Sequence, residues 1–379
     1  MKLAKNLDRL GTETAFSVLA EAKKLEAQGK EMIHLGLGQP DFMTPKHIMD
    51  AAKKAIDDGH HGYVLANGIA ECRQAVSRKI KKLYKKEISP ERIMIMPGGK
   101  PTMYFAIQMI GEPGAEIVHP TPGFPIYESM INYTGAKAVP YDLTKEKDLK
   151  FDPEKILSLI TDKTRLVILI NPNNPTGSFV EKPAIDFLAE GLKKHPHVTI
   201  LSDEIYSRQI FDGKEMPTFF NYPDLQDRLI VLDGWSKAYS MTGWRIGYTA
   251  GPEDAIKAMS KIQSHSTSNP TSIAQKAALA AITGSQEPVV EMVKAFQKRR
   301  DLICQRLDDI DGVEYVRPQG AFYIFPDFSP HYGRTINGHS INSSQELATY
   351  FLDEVKVGAV PGDGLEPITI CVFPLRHQK

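Results

Sequence analysis

The chain has 379 residues, 42% of them hydrophobic and 24% charged, which suits a soluble globular enzyme with a large core and room for two lobes. Its 46 basic and 46 acidic residues cancel, arguing against a basic nucleic-acid-binding chain and against an acidic disordered one. The three scattered cysteines (Cys72, Cys304, Cys371) form neither a disulfide framework nor a zinc pattern. With no secretory or transit leader and no apolar run of membrane-spanning length, the expected setting is the cytoplasm, without membrane or nucleic-acid partners.

Apolar positions at helical spacing predict a first helix over residues 14–29, closed by Gly29. A Gly/Pro-rich loop, "LGLGQPDFMTP" (35–45), follows. Short β-rich runs come next: "RIMIMPGG" (92–99), "EIVHPTP" (116–122), "RLVILINP" (165–172), "VTILSDE" (198–204), "RLIVLDG" (228–234) and "RIGYTAG" (245–251). Helix-length patterns at 100–111, 124–134 and 181–194 separate several of them. Continuous apolar strands alternating with helices predict an α/β fold whose mostly parallel sheet is covered on both faces. A long helical region (253–310) leads to "GVEYVRPQGAFYIFPDF" (312–328), read as two strands of a separate α+β lobe. No internal repeat or low-complexity segment interrupts this order.

Polar groups gather where the predicted strands end, the edge at which open α/β sheets bind ligands. Each has an ordinary reading. "PGGK" (97–100) is either a tight turn or a phosphate cradle at a helix start. Asp203 is either a helix cap or a charge at the sheet mouth. "NPNNPTG" (171–177) is a stiff connector or a loop with a task, and a Ser-Lys pair (Ser236, Lys237) means little alone.

Together and in this order, "NPNNPTG", "DEIY" and "SKAYSMTGWRIGY" resemble the class I/II aminotransferases, pyridoxal-phosphate enzymes of fold type I, over nearly the whole chain. The resemblance implies a seven-stranded, mainly parallel sheet in a large domain (48–265) and a smaller domain from both chain ends (1–47 and 266–379). It implies that Lys237 forms a Schiff base with the cofactor aldehyde and then carries protons. An ordinary lysine is neutral only about once in 2,500 molecules at pH 7, so that role demands a lowered pKa. Asp203 is implied as the partner of the ring nitrogen, and Tyr206 and Asn174 as partners of the ring hydroxyl. Ser236, Arg245, Gly99 and Lys100 match the phosphate ligands. Phe124 matches the ring stacked on the cofactor, where many members carry a bulkier aromatic. Tyr63 matches a tyrosine reaching the phosphate across a dimer interface, which implies a homodimer with shared sites. Gly38 lies in a segment that covers the substrate carboxylate, with Asn174 beside it.

The C-terminus departs from the family. Members follow a "VGAVPGDGFG"-like run with an Arg-x-Ser-x-Ala strand whose arginine clamps the substrate α-carboxylate; here "VGAVPGDGLEPITICVFPLRHQK" contains no Arg-x-Ser. With permitted codons, a shifted frame from Gly364 reads "FGANNYMRISFA". The expectation is a displaced frame over 365–379, with Arg376 an accidental arginine and activity lowered. The sequence leaves open a β-eliminating carbon–sulfur lyase of the same fold and a cofactor-binding but idle product. It also leaves open aspartate, alanine and aromatic substrates, with His265 or Arg208 as candidate second cations.

Overall fold

The computed structural model describes residues 1–11, 14–362 and 369–371. Seven strands form the central sheet: β2 (Ile93–Met96), β3 (Glu116–Thr121), β4 (Lys137–Asp142), β5 (Thr164–Ile170), β6 (Thr199–Asp203), β7 (Leu229–Gly234) and β8 (Gly247–Ala250). Their spatial order is β2-β8-β7-β6-β5-β3-β4, and only β8 runs against its neighbours. The expected seven-stranded, mainly parallel sheet is the one observed.

Side-chain alternation explains why both faces are apolar. Ile93, Ile95, Val167, Leu169, Ile200 and Val231 enter one core, while Met94, Met96, Ile168, Ile170, Leu201 and Leu232 enter the other. Helices α2 (Lys46–Asp57), α3 (Ala70–Tyr84), α7 (Lys182–Leu192) and α9 (Ser272–Thr283) cover the first face. Helices α4 (Lys100–Ile110), α5 (Ile126–Thr134) and α8 (Glu253–Ser266) cover the second.

Three expectations are corrected. Strand β4 escapes the sequence pattern because it is an edge strand carrying Lys137 and Pro140, residues that disguise an edge. The helical region 253–310 is three helices: α8, α9 and α10 (Glu287–Asp308), separated around Pro270 and Gly284. The segment 312–328 contains no strand. Among the described residues it makes isolated bridges, such as Ile210 with Gly320 and Glu314 with Asp327. Pro318 and a left-handed Ala321 (φ 55°) prevent a ladder, and the segment's aromatic residues turn into the core.

The remaining elements stand apart from the main sheet: α1 (Thr14–Ala27), β1 (Ile33–His34), β9 (Arg334–Ile336), β10 (His339–Ile341), α11 (Ser344–Tyr350), β11 (Val357–Gly358), β12 (Val360–Gly362) and β13 (Thr369–Cys371). They pair as β1 with β11, which joins the two ends of the chain, β9 with β10, and β12 with β13. The expected domain boundary at 265 falls in the last turn of α8, and α9 beyond it buries Ala274, Ala277, Ala278 and Ala281 in the core of the main sheet. Apart from β13, the tail over which a displaced frame is expected, with Arg376, lies outside the described residues.

Candidate active site

All the sheet's parallel strands point their C-terminal ends at one edge, and antiparallel β8 begins there. That edge receives Gly98–Lys100 after β2, the 121–124 turn after β3, the 171–177 loop after β5, Asp203 from β6 and Lys237 after β7. The sheet thus brings together residues that are far apart in the chain.

Lys237 follows a tightly anchored turn. Trp235 is buried, with its ring edge-on to Tyr248 at 5.6 Å, and its Nε1–H donates to the Ala278 carbonyl of α9 at 3.0 Å. Gln209 Nε2 donates to the Lys237 carbonyl at 2.6 Å. The backbone on both sides of the amine is therefore fixed. The amine itself donates to the Gly38 carbonyl and stands 5.5 Å above the Phe322 ring and 5.8 Å above that of Tyr206. Burial pushes its pKa down to about 8, with Arg245 and Lys100 adding to the shift and Asp203 opposing it.

Arg245 caps a short 3-10 turn in a left-handed conformation (φ 51°) and donates to the Thr242 carbonyl at 2.8 Å. Its guanidinium passes so close to Gly98 (φ +95°) that a Cβ there would lie 2.1 Å from Nη2. Only glycine allows this approach. Gly99 is the N-cap of α4, and Lys100 is its first residue. A cationic side chain, a glycine turn and a helix N-terminus converge, which is a seat for a phosphate group.

Asp203 is 3% exposed. Its Oδ2 accepts from the Tyr127 hydroxyl at 2.7 Å and its Oδ1 from the Ile205 N–H at 3.1 Å. Burial nevertheless pushes its carboxyl up to about 6. Glu204, which follows the end of the strand, takes the hydroxyls of Ser202 and Thr218 on the other side of the sheet, the side that Asp233 also faces. There Asp233 pairs with Lys79 of α3 at 2.9 Å and Tyr248 at 2.7 Å. Two neighbouring acids, Asp203 and Glu204, are thus separated by strand alternation.

The Tyr206 hydroxyl lies 2.6 Å from that of Tyr323, and its ring packs edge-on against Phe322 and Tyr323. Burial raises the Tyr206 phenol well above its ordinary pKa, with Tyr323 adding to the shift and a hydrogen bond from Asn174 opposing it. Phe124 sits edge-on to Tyr127 at 6.4 Å, and Lys100 Nζ lies 5.3 Å from the Phe124 ring. Ser236 is buried beside Lys237. Tyr63 is the outlier: it is 92% exposed on the protomer surface. Of the suggested second cations, His265 is exposed in the last turn of α8, and Arg208 is turned toward Gln286. Lys100 occupies the position beside the site.

Sequence patterns do not reveal Tyr127, Tyr323 and Phe322. Their contacts are made through the fold, and no local motif marks them. These donors suit pyridoxal phosphate: a cradle too narrow for a Cβ, a buried carboxyl for a ring nitrogen, a phenol for a ring hydroxyl, and an amine made easier to deprotonate. When bound, the cofactor supplies a reactive aldehyde and an electron-withdrawing ring.

This sheet and this edge define a fold-type-I, pyridoxal-phosphate-dependent enzyme. Residues 30–369 match the family described as aminotransferase class I and II. The chain is 39% identical over 365 residues to the aspartate aminotransferase of Bacillus subtilis (strain 168), covering 96% of this chain and 92% of that one. It is equally 39% identical over 369 residues to an aspartate/prephenate aminotransferase of Cereibacter sphaeroides, with 96% and 92% covered. The aspartate aminotransferase structure from Rhizobium meliloti superposes with a TM-score of 0.94 at 34% identity, covering 100% of this chain and 95% of that chain. The chain belongs to the class I and II aminotransferases. Its reaction is pyridoxal-phosphate-dependent transfer of an amino group between an amino acid and a 2-oxo acid.

Proposed function

We propose that the amino donor is aspartate, that Lys237, Asp203 and Tyr206 carry the chemistry, and that Lys100 meets the donor's side-chain carboxylate. The buried amine of Lys237 carries the reading. With a pKa of about 8, about a tenth of it is neutral at pH 7, a gain of more than a hundredfold over an ordinary lysine. Lys237, its amine made easier to deprotonate, would hold the cofactor through its aldehyde, and the same amine would carry the proton from the substrate's α-carbon. Asp203 holds a proton on the ring nitrogen; its raised carboxyl pKa is brought back toward the ionised form by that positive partner. Tyr206 and Asn174 orient the ring hydroxyl, and Phe124 covers a ring face.

Arg245, Ser236, Gly99 and Lys100 hold the phosphate end, with the Lys100 ammonium extending toward substrate. Gly38 and Asn174 border the place of the α-carboxylate. The choice of aspartate rests on the activity named for the relatives together with a cation at Lys100, close enough to Lys237 to lower its pKa. Tyr63 serves a second copy of the chain, and the working unit is a homodimer.

Removing one partner of a charged hydrogen-bonded pair costs about 2–5 kcal/mol, roughly 30- to several-thousand-fold. Lys100→Met is expected to lower kcat/KM for aspartate by a factor in that range, while alanine, which lacks the second carboxylate, loses far less. Steady-state kinetics with both donors decide it. An equal loss for the two donors would show that Lys100 acts on the phosphate alone and would remove the argument for aspartate.

A further inference from the structure

The segment expected to be two strands of an outer lobe instead threads the active site, and Tyr323 lies at its tip. Its course is fixed by backbone contacts to two site loops. Gln319 and Gly320 donate their N–H groups to the Gly177 carbonyl at 2.9 and 3.1 Å, and Ala321 donates to the Gln209 carbonyl at 2.8 Å. Ala321 takes the left-handed conformation (φ 55°), an uncommon one for a residue with a Cβ that is found preferentially at functional sites. A Cβ on Gly177 would lie 2.6 Å from the Tyr323 carbonyl, and one on Gly320 would lie 2.5 Å from the Pro172 ring. The loops and the segment therefore interlock without slack.

This arrangement puts the Tyr323 phenol between two groups of the site. On one side it is 2.6 Å from the Tyr206 hydroxyl. On the other it fills the space where a side chain at residue 38 would begin, since a Cβ on Gly38 would lie 2.5 Å from the Tyr323 oxygen. The carbonyl of that same Gly38 holds the Lys237 amine. The ring is 7% exposed and packs on Phe322 at 4.9 Å, so its position is set by the core.

We propose that Tyr323 is a positioning residue that donates its hydroxyl hydrogen to Tyr206 and so strengthens Tyr206 as a donor to the cofactor's ring oxygen. The inference rests on the reading of Tyr206 as the partner of that oxygen. Either hydroxyl of the pair can donate; with the Tyr206 hydrogen committed to the ring oxygen, the shared hydrogen is that of Tyr323, and a phenol that accepts one hydrogen bond donates a stronger one in turn. The ring oxygen and the Lys237 nitrogen compete for the same proton when the two are joined. Weakening the donor to the oxygen leaves more negative charge on it, and the nitrogen then keeps its proton to higher pH. In this role Tyr323 acts through Tyr206, without touching the reacting atoms.

The test is a pH titration of the absorption of the cofactor-loaded protein, compared among the wild type, Tyr323→Phe, Tyr206→Phe and the double variant. Tyr323→Phe removes one oxygen and leaves the ring packed on Phe322. Its midpoint is expected to rise by about 0.5 pH unit, the worth of one modest neutral hydrogen bond. Tyr206→Phe is expected to raise the midpoint further, and the double variant to match Tyr206→Phe alone, because a residue that works through another adds nothing once that other is gone. Cofactor affinity is expected to stay within about threefold of wild type in Tyr323→Phe. A shift in Tyr206→Phe without one in Tyr323→Phe overturns the inference and leaves the reading of Tyr206 intact. No shift in either variant overturns both. Additive shifts, or loss of cofactor binding in Tyr323→Phe, also overturn the inference, since the phenol would then have a separate task.

Discussion

At the scale of single residues, the site is built at the expense of stability, and Lys237 shows how. Its pKa is depressed in the folded chain, to about 8 from 10.5. For a base shifted in that direction, the folding penalty is fully present below pH 8. It is relieved as pH rises from the folded toward the unfolded value, because there the unfolded chain binds the extra proton. The shift corresponds to roughly 3 kcal/mol. Lys237→Met keeps the length of the side chain and removes the charge. Urea unfolding of the cofactor-free variant is expected to show a gain of up to about 3 kcal/mol at pH 7, shrinking below about 1 kcal/mol at pH 10. A difference that stays constant over that range would mean that the amine is solvated and that the site does not prepare it. The motif around Lys237 makes this residue legible in the sequence, along with Asp203, Tyr206, Asn174 and Arg245. The groups that tune them are not legible there. Tyr127 lies 76 residues from Asp203 in the chain and Tyr323 lies 117 from Tyr206, and no local pattern encodes a contact between segments so far apart.

At the scale of elements, strands are legible where a continuous apolar run is buried on both faces, as in β5 and β7. They are illegible where the edge is polar, as in β4, or where aromatic alternation serves core packing without a ladder, as in 312–328. The loop carrying Gly38 is legible as a loop, though its fastening is not. Ser240 donates to the Phe42 carbonyl, Thr44 donates to the Ser240 carbonyl at 2.8 Å, and Trp244 Nε1 donates to the Thr44 hydroxyl at 3.0 Å. From the other side, Arg299 of α10 grips Asp41 with two bonds, 2.8 and 3.2 Å, while its guanidinium lies 4.9 Å from the Phe42 ring. Both side chains of the pair are only about one-sixth exposed, at 15% and 16%. A two-point pair in that setting contributes about 1–2 kcal/mol to holding the loop over the site. Arg299→Met is expected to raise KM for the amino acid about tenfold with little change in kcat, if the proposed role of the loop is to border bound substrate. Arg299→Lys, which keeps the charge and loses the fork, is expected to fall between. An unchanged KM in Arg299→Met would assign the whole fastening to Ser240, Thr44 and Trp244.

At the scale of the whole molecule, the chain carries a residue proposed for the site, Tyr63, that its own fold does not bury. Tyr63 is 92% exposed, and it is accompanied by Met43 at 79%, Leu65 at 66% and Phe16 at 54%. Large apolar side chains left this open suit surfaces that meet another chain, and a symmetric pair would let each copy lend Tyr63 to the other. Activity in mixed dimers tests this directly. Chains carrying Lys237→Ala lack the amine but still offer Tyr63; chains carrying Tyr63→Ala have the amine but lack the lent phenol. Each is expected to be weak alone. When the two are refolded together, one site of each mixed dimer regains both groups, and the other site loses both. Random pairing makes about half the dimers mixed, so about a quarter of wild-type activity is expected. If Tyr63 works within its own chain, mixing restores nothing, because every site then lacks one of the two groups. Sedimentation of the mixture distinguishes that result from a failure to pair: a dimer whose activity stays at the average of its parents would place Tyr63 outside the shared site.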